Sequence, residues 1–187
     1  MAMPMDEKEL LEFLDRHGIG WRRFAHPPLH TVEQSRAVRA ELGDLPGAHV
    51  KNMFLKDKKG VLVLVTCLED RRIRLQELER VIGTKRLSFA SAERLWTHLG
   101  VRPGAVTPLA LVNDRNDHAV RLVLDAQMMR MDPIYCHPLD NTATVAVGRD
   151  DLERFFALTG HVPQLVDFDA LEKATERPLA AQPRVSR

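Results

Sequence analysis

The run Val61-Leu62-Val63-Leu64-Val65-Thr66-Cys67 constrains this chain more than any other stretch. Seven uncharged residues, rich in β-branched side chains, are too few for most helices. They read as a strand buried on both faces, in the middle of a sheet. The polar turn Lys56-Asp57-Lys58-Lys59-Gly60 precedes it, and before that comes Gly47-Ala48-His49-Val50-Lys51-Asn52-Met53-Phe54-Leu55. Together the two runs predict a hairpin. The first strand breaks its own rules, because Lys and Asn are depleted in strands. A buried ammonium must find a partner or lose its charge. Local conflict of this kind is expected where a site matters more than stability. The plain alternative is that Lys51 reaches solvent from an edge strand and Asn52 ends a turn.

The rest of the chain punctuates clearly. Asp6 with Glu9 and Thr31 with Gln34 form capping boxes, opening helices that run to Gly18 and to about Glu41. Ile19 to Phe24 reads as a strand, and His26-Pro27-Pro28 as an extended turn. Helical spacing covers Arg71 to Ile82, closed by Gly83, and Ser91 to Leu99, closed by Gly100, with a short strand over Lys85 to Phe89 between them. Val101 to Pro108 is a breaker-rich loop. Leu109 to Val112 and Val120 to Leu124 flank Asn113-Asp114-Arg115-Asn116-Asp117, which predicts a hairpin. A further pair, Arg130 to His137 and Thr142 to Val147, brackets Pro138 to Asn141. A helix from Arg149 or Asp150 to Thr159 and a strand from Gln164 to Phe168 follow. The pattern predicts one α/β domain over 6–168, a mixed and largely antiparallel sheet covered by helices, and a polar tail over 169–187.

Composition excludes several classes. The 187 residues suit a single domain, and a net charge of +1 argues against a generally sticky nucleic-acid binder. Any RNA contact must come from local patches: Lys56, Lys58 and Lys59; Arg71, Arg72 and Arg74; or Lys85 and Arg86. Cys67 and Cys136 form no CxxC pair. The eight histidines show no HxH or HxxxH spacing beside a carboxylate, so no metal is expected. The acidic N-terminus does not read as a signal peptide, and no apolar run reaches membrane-spanning length. The expectation is a cytoplasmic protein without a membrane partner.

Four segments in order carry a resemblance. They are His26-Pro27-Pro28 with Thr31-Val32-Glu33, then Val50 to Leu55, then Gly104-Ala105-Val106-Thr107-Pro108-Leu109-Ala110-Leu111, then His137-Pro138-Leu139-Asp140-Asn141-Thr142-Ala143-Thr144. This order resembles the YbaK/ProX superfamily of prolyl-tRNA editing domains, most of all its free-standing ProX (PrdX) branch. The resemblance implies hydrolysis of alanine from mischarged tRNA for proline, with no metal or organic cofactor. It implies Lys51 and Asn52 as central site residues, with the Gly104–Pro108 loop and His137 as pocket walls.

The chemistry fits these residue types. An aminoacyl ester is already activated, so positioning a water and stabilising developing negative charge can suffice. Lys51 suits an electrostatic clamp on the terminal adenosine, and Asn52 can donate and accept. Backbone amides at Gly104 and Ala105 suit an oxyanion site, because glycine admits close approach. Val50, Met53, Val106, Thr107, Pro108 and His137 are the expected walls, small enough to admit alanine and refuse proline. Lys56, Lys58, Arg71, Arg72 and Arg74 are the candidate tRNA contacts, with prolyl-tRNA synthetase or an elongation factor as candidate helpers. A cysteine-removing YbaK-like deacylase, a non-catalytic tRNA- or synthetase-binding domain, and a small-molecule-binding domain remain open alternatives, as does the oligomeric state.

Overall fold

A computed structural model describes residues 3–29, 31–42 and 45–176. The elements in order are α1 (Glu7–Arg16), β1 (Trp21–Ala25), α2 (Val32–Leu42), β2 (Ala48–Lys56), β3 (Leu62–Leu68), α3 (Leu75–Ile82), β4 (Ser88–Phe89), α4 (Ala92–Leu99), β5 (Val120–Asp125), β6 (Ile134–Cys136), β7 (Ala143–Val147), α5 (Arg149–Leu158), β8 (Gln164–Val166) and α6 (Phe168–Glu176). Both capping boxes form. Asp6 accepts from the Glu9 amide while Glu9 accepts from that of Asp6, and Thr31 and Gln34 do the same.

The sheet runs β1-β7-β6-β2-β3-β5-β8, with β4 also paired to β2. It is mixed, as the sequence predicts. β2 and β3 form the expected antiparallel hairpin, from Val50 opposite Leu68 to Lys56 opposite Leu62. β6 and β7 form the second expected antiparallel pair. β3 is central and covered on both sides. Leu62 and Leu64 join a core with α1, α4 and α5, while Val63, Val65 and Cys67 join a core with α3 and α6.

Two expectations are corrected. Residues Pro108–Asn113 are a 3-10 helix, not the first strand of a hairpin. Thr107 caps it by accepting from the Leu109 amide, and β5 instead lies parallel to β3. A short apolar run fits a buried helical turn as well as a strand, and the proline at its start favours the turn. Residues 71–74 stay outside α3, because the Arg71 side chain is anchored to β5. Helix α6 starts at the buried Phe168 and runs into the stretch expected to be a polar tail over 169–187, of which residues from 177 onward lie outside the described set. Among the described residues, no helix is long and apolar enough to cross a membrane.

Candidate functional site

β2 has two unequal edges. One is paired to β3 over seven residues. The other meets strands only at its ends, β6 at Ala48 and His49 and β4 at Leu55 and Lys56. The open centre of that edge borders a cleft lined by Val50, Lys51, Asn52, Gly104, Val106 and His137, among others. A smaller cavity of about 70 Å³ lies next to it, lined in part by His26, Tyr135, Cys136 and Thr144. Leu29, Val50, Asn52, Glu69 and His137 line both spaces.

Successive strand residues point to opposite faces, so a cavity can use both Lys51 and Asn52 only by wrapping the strand's edge. Asn52 lies opposite Thr66, whose buried hydroxyl donates to Asn52 Oδ1 at 2.7 Å. That bond occupies the amide oxygen, and among the described residues the Asn52 NH₂ has no acceptor. The Lys51 ammonium donates to the Arg71 carbonyl. It therefore satisfies its charge on a backbone oxygen rather than pointing freely to solvent.

The far wall is a tight assembly of two loops. Gly104 has φ +95, and a Cβ there would sit 2.9 Å from Asn141 Nδ2, so backbone angle and space both demand glycine. Asn141 in turn accepts from the Leu29 amide at 3.1 Å and donates to the Leu29 carbonyl at 2.6 Å. One side chain thus ties the His-Pro-Pro loop to the His137 turn. Leu139 in that turn has φ +68, which is strained for a bulky residue and marks a turn held by its surroundings. Asp140 accepts from the Thr142 hydroxyl and amide, and those bonds hold its carboxyl below the usual range.

His137 is oriented by one bond, from Nδ1 to the Ala143 carbonyl at 2.9 Å. A carbonyl can only accept, so Nδ1 carries the hydrogen and neutral His137 presents Nε2 as a lone pair. Burial pushes its pKa below the ordinary value, the Ala143 bond opposes this, and nearby His26 adds to the lowering. His26 is fixed too, with Nδ1 at the Pro27 carbonyl and Nε2 at the Thr144 hydroxyl, 2.9 Å away. Burial pushes the Cys67 and Cys136 thiols up to about 12, so neither offers a thiolate at neutral pH. Among the described residues, no three His, Cys, Asp or Glu side chains gather as a metal site requires.

The structure sorts the expected residues. Val50, Lys51, Asn52, Gly104, Val106 and His137 come together. Met53 does not join them; it shares a face of β2 with Lys51, turned away from Val50 and Asn52, and packs against the α3 and α6 core. Ala105, Thr107 and Pro108 are buried behind the loop, and the Ala105 amide already donates to the Arg102 carbonyl at 3.0 Å. Arg71 is no surface contact. Its side chain is 8% exposed and pairs with Asp125, Asp169 and Glu172. Arg72 and Arg74 are exposed at one end of the hairpin and Lys58 at the other, with Lys56 half-buried there. Six ladder steps separate those ends, roughly 20 Å. Lys58 instead meets Lys85 by a backbone bond of 3.0 Å, which gathers two of the basic clusters. Glu69 and Asn141 escaped notice as site residues. Asn141 lies in the His137–Thr144 segment, but Glu69 carries no local signal.

A sequence model of the family described as "Aminoacyl-tRNA editing domain" matches residues 26–155. This chain belongs to that family. The four segments that carried the resemblance all lie inside that match. Prolyl-tRNA synthetase associated domain-containing protein 1 of Danio rerio is 40% identical over 169 residues, covering 89% of this editing domain's chain and 90% of that protein. Prolyl-tRNA editing protein ProX of Acetoanaerobium sticklandii is 34% identical over 167 residues, covering 88% and 99%. The fold is shared with the crystal structure of a protein proposed to be a trans-editing enzyme for prolyl tRNA synthetase. That structure gives a TM-score of 0.63 at 19% identity, over 87% of this chain and 96% of that one.

Proposed function

We propose that this editing domain is a hydrolase that removes alanine from mischarged tRNA for proline and spares prolyl-tRNA. The observation that carries this reading is the small cavity opening beside Asn52, Gly104 and His137. The aminoacyl side chain enters that cavity while the terminal ribose stays in the outer cleft. Water attacks the ester carbonyl, the bond to the ribose oxygen breaks, and the proton from water ends on that oxygen. The Asn52 NH₂ and the Gly104 amide donate to the developing oxyanion. The neighbouring ribose hydroxyl and His137 Nε2 hold the water. Lys51 leaves the Arg71 carbonyl to clamp the terminal nucleotide.

Size exclusion sets the choice of amino acid. A synthetase pocket for proline cannot strongly reject alanine, because lost apolar contacts cost only about 1–3 kcal/mol. A second, tighter pocket can reject proline, since overfilling a packed site is penalised. His137 cannot swing aside without losing its Ala143 bond. In this reading the basic group at Lys56, Lys58 and Lys85 meets the tRNA body, and the buried Arg71 takes no part in that contact. One time course tests the reading, with alanyl, cysteinyl and prolyl esters on the same tRNA for proline. Rapid loss of alanine alone is expected; loss of correctly attached proline overturns it, and preferred loss of cysteine assigns a different substrate.

A further inference from the structure

An aminoacyl ester brings a group that neither Asn52 nor His137 suits: its α-amino group, an ammonium in mildly acidic solution. Such a cation needs an acceptor, and a carboxylate is the strongest. Glu69 is the single Asp or Glu among the residues that line the cavity and the cleft, and it lines both. It stands just past the end of β3, where its amide donates to the His49 carbonyl at 3.0 Å and holds it across the head of β2. Its side chain is 11% exposed, enough for a small group to reach and dry enough to strengthen a charge pair.

The carboxylate is only half used. Arg39 donates to Oε1 at 2.5 Å, and Arg36 approaches the same oxygen at 3.8 Å. Among the described residues, Oε2 takes no hydrogen bond. A carboxylate offers about four lone-pair sites, so one oxygen can keep Arg39 while the other receives an ammonium.

We infer that Glu69 receives the α-ammonium of the aminoacyl ester and selects esters of free amino acids over α-hydroxy or N-blocked acids. This rests on the deacylase reading and adds a specificity residue to it. The alternative is that Glu69 only anchors α2 through Arg39, and the test separates the two.

Full-length wild type, Glu69→Gln, Glu69→Asp and Arg39→Gln are compared at pH 6 on alanyl- and lactyl-tRNA for proline. The lactyl ester replaces the ammonium with a hydroxyl of similar size. Each kcat/KM is corrected for hydrolysis in buffer. The expected result is a wild-type preference for the alanyl ester, reduced roughly 10- to 100-fold in Glu69→Gln through slower alanyl hydrolysis alone. Glu69→Asp should recover part of that preference, and Arg39→Gln should retain it. An unchanged preference in Glu69→Gln overturns the inference, as does an equal collapse in Arg39→Gln. If wild type hydrolyses neither ester, the deacylase reading itself falls and this inference with it.

Discussion

Two arginine–carboxylate clusters border the β2–β3 hairpin, and they differ in burial rather than in chemistry. In the first, Arg71 is 8% exposed and Asp125 fully buried. Asp125 holds Arg71 through two nitrogens and also accepts from the Leu68 and Gln127 amides, so both its oxygens are committed. Burial works against the Arg71 charge, but the bonds to Asp125 and Asp169 outweigh it and hold its pKa above the ordinary value. In the second cluster Arg36 and Asp70 are exposed, and only Arg39 and Glu69 are substantially covered. A carboxylate with every lone pair committed becomes a joint, here between α6 and β5. One left partly open at a cavity edge can serve a ligand.

That contrast predicts its own largest break. Arg71→Met should destabilise the fold by about 3–5 kcal/mol, because it strands the buried Asp125 charge. Denaturant unfolding measures the loss, and the double variant Arg71→Met with Asp125→Leu should recover much of it. A loss under about 1 kcal/mol would mean that burial does not separate the clusters.

The cleft should show the opposite profile, with activity lost and fold retained. Lys51→Ala and Asn52→Ala should each slow single-turnover deacylation by about 100-fold or more while the melting temperature shifts little. Near-normal turnover in either variant removes that residue from the site.

The His137 turn should respond to pH. The folded state holds His137 below its ordinary pKa of 6.5, so it binds the proton less well than the unfolded chain. Its contribution to stability is full above about pH 6.5 and is lost as pH falls through the lowered value. Deacylation should drop over the same range as Nε2 loses its lone pair. His137→Gln should flatten that limb of the pH–rate profile, and an unaltered limb would assign it to another group.

The smallest effects belong to exposed charges. Arg36→Ala should change stability by no more than about 0.5 kcal/mol, since both members of its pair with Asp70 are solvated. Charge reversal at Lys58 and Lys85 should raise the KM for charged tRNA a few-fold, more at low salt, and leave kcat unchanged. Reversal at Arg72 and Arg74, at the other hairpin end, is the matching control.

Sequence alone determined the features that act over a few residues. The two capping boxes, the β2–β3 and β6–β7 hairpins and the glycine helix stops are local, so propensity and periodicity expose them. The order of four short segments was enough to indicate the family, and it placed Lys51, Asn52, Gly104 and His137 among the candidates. Only the tertiary structure decided the rest. The run Leu109 to Val112 suits a strand and a buried turn equally, and parallel pairing of β3 with β5 settled which. Arg71 reads as one more surface arginine until Asp125 and Asp169, 54 and 98 residues away, enclose it. Met53 left the pocket because the core under α3 and α6 took its side chain, while Lys51 on the same face reached the open edge of β2. Glu69 gained its place from a helix 30 residues earlier and a cavity whose lining runs from Phe24 to Thr144. Burial and charge pairing depend on neighbours that the fold supplies, and no window of adjacent residues contains them.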